Sequence, residues 1–213
     1  MSLVRNKGAT RVKRQQTGIY DKQILCKNCD NNLIGQYESY ARKIVYPDSD
    51  IEWQKRNHRL EVNEAGIKRV ILDVDYKNFK LFLLTILWKA HITSHEFFQH
   101  INLGKYEPLI KERILNGDPG GDDEFETSIV ILLDGHFLNK SVMAPREIKL
   151  NQNYSYHFLI NQALYSFNLS SHNKMDIFKH SGIRSNNELS IFIADQASES
   201  DPLRKFINAL AGI

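Results

Sequence analysis

Two cysteines stand two residues apart in Cys26-Lys-Asn-Cys29, and they are the only cysteines in the chain. Thiols at this spacing on a turn can grip one metal ion from one side. A structural zinc site needs four nitrogen or sulfur ligands in a tetrahedron. Cys26 and Cys29 therefore supply half of a zinc site, and the other half must come from elsewhere. The same spacing serves redox chemistry where it opens a helix, because the helix dipole stabilises a thiolate there. Asp30 and Asp21 lie close in sequence and work against a thiolate, so metal binding is the preferred reading. The remaining reading is a reduced pair that packs at a turn.

Two histidines could complete the set. His91 and His95 have the i, i+4 spacing of a Cys2His2 site, so Cys26, Cys29, His91 and His95 form a candidate zinc centre. Against it, histidines are favoured at a helix C-terminus by the macrodipole alone, and Thr93 and Ser94 mark a helix that is ending. His58 and His100 are weaker candidates. A zinc shared between two copies, each giving its cysteine pair, is a further option.

Charge is unevenly placed. Residues 1–20 carry Arg5, Lys7, Arg11, Lys13 and Arg14 and no acid, which leaves 23 basic and 25 acidic side chains in the other 193 residues. A basic segment of this kind binds phosphate backbone without sequence preference and with strong salt dependence. Its alternative is a solvated terminus. Asp118, Asp122, Asp123, Glu124 and Glu126 cluster with Gly120 and Gly121; acids of this kind can hold Mg²⁺ or Ca²⁺, but the spacing is not that of an EF-hand and a surface loop is the preferred reading. No phosphate-binding glycine loop, G-x-S-x-G or H-E-x-x-H motif occurs.

A chain of 213 residues with 42% apolar and 25% charged side chains is long enough to bury a real core. No apolar run approaches the roughly 18 residues that span a bilayer, so no membrane partner is expected. Two cysteines, and no apolar stretch behind the basic N-terminal residues, point to a reducing, cytoplasmic compartment.

The elements that must position these residues make an α+β chain: a helix-rich N-terminal half with a zinc-knuckle-like turn, then a mostly antiparallel β half with a terminal helix. Residues 1–18 read as a flexible basic arm, 19–117 as the knuckle and helical region, and 118–213 as the β region; 18–213 is expected to be one compact unit. Ile19–Leu25 reads as a short strand and Leu33–Val45 as a helix. Arg59–Asn63 and Ile67–Val74 read as a hairpin. Tyr76–Ile92 is a helix apolar nearly all round, with Asp75 as N-cap, and is expected to sit at the centre of the core. Lys105–Leu115 is an amphipathic helix. Strands follow at 128–133, 154–160, 164–169 and 188–194. Leu203, Phe206, Ile207 and Leu210 pattern a last helix behind Pro202.

Several stretches together resemble a group of bacterial HNH-endonuclease-like proteins: Gly18-Ile-Tyr-Asp-Lys-Gln-Ile-Leu-Cys-Lys-Asn-Cys-Asp-Asn, Gly35-Gln-Tyr-Glu-Ser-Tyr-Ala, Phe79-Lys-Leu-Phe-Leu-Leu-Thr-Ile-Leu-Trp-Lys-Ala and Leu103-Gly-Lys-Tyr-Glu. The resemblance covers roughly residues 10–117. It implies a treble-clef-type zinc knuckle and a setting near phage-defence or mobile-element genes. Longer relatives carry an upstream C-x-x-C and a His-Ile-Ile-Pro-like segment that supplies the catalytic histidine. Here the first histidine is His58, so the general base of HNH chemistry is missing. The resemblance thus implies a degenerate, non-catalytic protein that binds nucleic acid or a protein partner, itself included. The alternatives are an active metal-dependent nuclease using His58, and a pure protein-interaction module.

Overall fold

The computed structural model describes residues 2–4, 13–15, 21, 24–45, 55–63, 66–133, 142–150, 153–170, 178 and 180–195. The expected terminal helix (203–210), the 64–65 turn and Arg5, Lys7 and Arg11 lie outside them.

The core is built on α2 (Tyr76–Ile92). Asp75 caps it, accepting the Asn78 N–H at 2.9 Å. Phe79, Leu81, Leu83, Leu84 and Leu87 are fully buried, each contributing roughly 2 kcal/mol of hydrophobic stabilisation. A helix apolar on several sides needs several neighbours. It packs against α1 (Gly35–Val45) and α3 (Glu107–Asn116). α3 ends at Gly117, whose φ of 64° is left-handed and costs glycine nothing.

Helices lie on one face of an eight-stranded sheet. The strands are β3 (His58–Asn63), β4 (Gly66–Ile71), β5 (Thr127–Leu133), β6 (Val142–Leu150), β7 (Asn153–Ile160), β8 (Ala163–Asn168), β9 (Gly182–Ile183) and β10 (Leu189–Asp195). Their order is β3-β4-β10-β5-β8-β7-β6, with β9 on β10. Only β10 and β5 run parallel among these neighbours. β7 and β8 join through Asn161 and Gln162, both at positive φ, a two-residue turn whose twist matches the hairpin. Ile71, Ile129, Phe158, Tyr165, Phe167 and Leu189 face the helices. Val130, Leu132, Leu159 and Leu164 form a smaller cluster on the other face, with Met143, Ile148 and Phe192 against it. β8 is therefore buried on both sides.

The fold is mixed α+β with a mostly antiparallel sheet. The division into a helical half and a strand half is looser than the sequence pattern implies, because β3 and β4 from the first half pair into the same sheet beside β10. No strand includes Asp21, Ile24 or Leu25, where Ile19–Leu25 was expected to be extended; the chain turns there into a helix, with Leu25 packed against the core. β1 (Ser2–Val4) pairs antiparallel with β2 (Lys13–Gln15) in a separate two-stranded ribbon.

Candidate functional site

The cysteine pair opens a helix. Helical structure starts at Lys27, passes through a π-turn over Cys29–Ile34 and continues as α1. The first ladder bond runs from Asp30 N–H to Cys26 O at 2.9 Å. Cys26 sits before that turn and its sulfur accepts the Cys29 N–H at 3.2 Å, as an N-cap side chain does. Cys26 is exposed and Cys29 half-buried, both as free thiols. Hydrogen bonds from the Cys29 side chain and then from its N–H hold the Cys26 thiol below its usual range, while the bond to Cys26 pushes Cys29 up. The two thiols are thus chemically unequal.

The acids expected to oppose a thiolate are engaged elsewhere. Asp30 meets Lys89 Nζ at 3.2 Å, and Lys89 also reaches Glu38 at 2.9 Å. Asp21 accepts from Thr93 Oγ1 at 2.6 Å and Ser94 N at 3.1 Å, and these bonds lower its pKa. The end of α2 therefore lies beside the knuckle, as a four-ligand site requires. The histidines are used differently. His91 Nδ1 lies 3.4 Å from both Ile101 O and Leu103 N. His95 Nδ1 accepts the Phe97 N–H at 3.1 Å and caps a short 3₁₀ turn. Among the described residues no group of three or more His, Cys, Asp or Glu side chains is placed to hold a metal ion. Two thiols fall short of a tetrahedral site, so the described part of one chain does not fit zinc. His58 is exposed, its Nδ1 2.9 Å from Arg56 O, and His100 is also exposed.

The acidic loop is folded onto arginines and backbone amides. Arg113 bonds Glu124 at 2.9 Å and also pairs with Asp118. Asp122 accepts from Ser185 N at 2.7 Å and Ser185 Oγ at 3.0 Å. Glu126 is buried 3.7 Å from Arg184. Gly121 N–H donates to Glu124. These partners tie the loop to α3 and to the Arg184–Ser185 stretch between β9 and β10.

Among the described residues, Lys80, His157 and the pair Ser128 and Ser181 are buried polar groups outside the candidates that sequence spacing offers. Lys80 is almost fully buried in α2 and donates from Nζ to Glu124 O (2.9 Å) and Phe125 O (2.8 Å). Desolvation lowers its pKa to about 8. Both bonds go to backbone carbonyls, so Lys80 is a strut that pins the acidic loop to the core. His157 is buried between two serines, with Nε2 2.8 Å from Ser155 Oγ and Nδ1 2.8 Å from Ser166 Oγ. Burial pushes its pKa down to about 3, which keeps the ring neutral. Ser128 and Ser181 bond each other on the same buried side. Alternation could have flagged His157, since Tyr154–Ile160 places it on the side of Leu159; no pattern could have flagged Lys80.

One cavity of about 400 Å³ lies between α1, α2 and the sheet, lined by Ile44, Val45, Phe79, Ile129 and Ile191, with Arg69 the charged residue among those described. No helix among the described residues is long and apolar enough to cross a membrane. No protein-family model matches the chain, and neither a curated protein nor a solved structure matches it.

Proposed function

We propose that this chain is a non-catalytic nucleic-acid-binding protein, a degenerate relative of HNH proteins in a bacterial phage-defence or mobile-element setting. Its basic N-terminal segment contacts phosphates. The observation that carries the reading is the charge distribution. Arg5, Lys7, Arg11, Lys13 and Arg14 stand in a stretch of 20 residues without one acid, whereas the acids of the body at 118, 122, 124 and 126 are met by Arg113, Ser185 and Arg184. Lys13 and Arg14 lie on β2, opposite Val4 and Leu3 of β1. A two-stranded ribbon has dimensions that a major groove admits. In this reading the helical core and sheet form the platform, and the cysteine pair is half of a structural zinc site that a second copy completes.

The test is fluorescence anisotropy of a labelled DNA duplex and a labelled single-stranded RNA at several salt concentrations. Each phosphate neutralised contributes about 0.9 to the slope of log affinity against log salt on duplex DNA, so the R11Q/K13Q/R14Q triple variant should flatten that slope by about 3 and weaken binding at low salt. Equal affinity of variant and wild type at low salt would sink the proposal.

A further inference from the structure

Among the described strands, β3 stands at an edge of the main sheet. Its ladder to β4 pairs His58 with Ile71, Leu60 with Arg69 and Val62 with Ile67, without a bulge. One residue before it, Leu72 N–H donates to Asn57 O at 2.9 Å. Continuing the register, Asn57 and Leu72 are therefore a hydrogen-bonded pair. Hydrogen-bonded and non-hydrogen-bonded pairs alternate along an antiparallel ladder. The amides and carbonyls of His58, Leu60 and Val62 must then point away from β4, towards that edge.

The same edge exposes apolar side chains. Leu60 is 57% exposed, Val62 77% and Ile67 43%; these are half of the six large apolar side chains that are exposed among the described residues. Leu60 and Val62 share a face with Arg69, Ile191 and Ile129 through the β3-β4-β10-β5 register. The opposite edge, β6, carries Pro145 and a register shift between Met143 and Arg146, devices that blunt edge pairing. β3 has neither.

We propose that β3 pairs antiparallel with β3 of a second copy of this chain, about a two-fold axis through Leu60. In this register Leu60 faces Leu60 of the partner, and His58 faces Val62 of the partner. Each exchanges both backbone hydrogen bonds, using the groups the β4 ladder leaves pointing outwards. Arg59 falls opposite Glu61 of the partner, in the non-hydrogen-bonded pairs where side chains approach most closely. Arg59 already bonds Glu61 and Glu188 at 2.8 and 2.7 Å, and Lys68 bonds Glu61 at 2.7 Å. Pairing turns these into one charge network across the axis. Moving the register two residues either way sets Arg59 against Arg59 or Glu61 against Glu61, and like charges directly opposite oppose pairing. The strand is self-complementary in one register, as a two-fold interface requires. That charge pattern favours a second copy over an unrelated extended peptide. The strand-sized contact predicts dissociation in the micromolar range.

Sedimentation equilibrium of the full chain, with chelator present to remove metal bridges, should show a concentration-dependent dimer. Glu61→Arg alone and Arg59→Glu alone should each weaken it at least tenfold. Their one-to-one mixture should restore dimer, since each variant supplies the charges the other lacks. Hydrogen exchange at the Leu60 and Val62 amides of the wild type should slow as protein concentration rises. A wild type that stays monomeric at about 200 µM, well above a micromolar dissociation constant, would overturn the proposal. So would dimerisation of both single variants at wild-type strength, or a mixture of folded variants that stays monomeric.

Discussion

The Cys29 backbone N–H points at the Cys26 sulfur from 3.2 Å, so the first cysteine of the pair caps the helix that carries the second. A thiolate accepts such a bond better than a thiol does, and exposure leaves Cys26 open to reagents. At pH 8, Cys26 should be alkylated by iodoacetamide several times faster than Cys29, read by peptide mass spectrometry. Equal rates, or faster reaction at Cys29, would contradict the geometry. Zinc content bears on the same pair. Two thiols predict no more than half a zinc per chain, lost in Cys26→Ser; one zinc per chain would require two further ligands from the same chain.

His157 makes folding sensitive to acid. Its folded pKa of about 3 lies below the usual 6.5, because burial disfavours the charged ring. The unfolded chain therefore binds the extra proton between those values. The stability His157 contributes is present above pH 6.5 and is lost as pH falls towards 3. At 1.36 kcal/mol per unit, the loss between pH 7 and pH 4 is roughly 3 kcal/mol. His157→Gln keeps a polar partner for Ser155 and Ser166 without the titration, so its denaturation midpoint should fall less steeply over this range. Parallel acid limbs for the two proteins would refute the assignment.

Gly182 has no room for a side chain. It pairs with Ser190 in the β9–β10 ladder at φ 97°, and a Cβ there would land on the Thr127 carbonyl oxygen of β5. Left-handed backbone and a backbone clash act together, so Gly182→Ala should cost about 3 kcal/mol or more. Chemical denaturation measures this; a cost below about 1 kcal/mol would show that β9 can move off β5.

Local pattern made much of the scaffold legible. Asp75 followed by the apolar positions of Tyr76–Ile92 specified a capped, buried helix, and the helix is found with those bounds. Alternation located β7, β8 and β10 to within a residue or two. β6 was missed because Pro145 and the bulge between Met143 and Arg146 break the period of two on which strand recognition depends. The cysteine spacing announced the knuckle, and tertiary contacts brought Thr93, Ser94 and Lys89 beside it. Those contacts also turned His91 and His95 to backbone groups.

What the chain determined by itself is what depends on neighbours in sequence: helix period, cap, strand alternation, the two-thiol turn and the charge of the basic segment. Only the tertiary structure decided which groups lose water and which stay exposed. Lys80 is surrounded by apolar neighbours along α2 yet ends on two carbonyls 44 and 45 residues away. Leu60 and Val62 alternate like core residues, but the order of the described strands leaves β3 at an edge with both side chains exposed. Burial and pairing are sums over distant partners, and sequence spacing does not carry them.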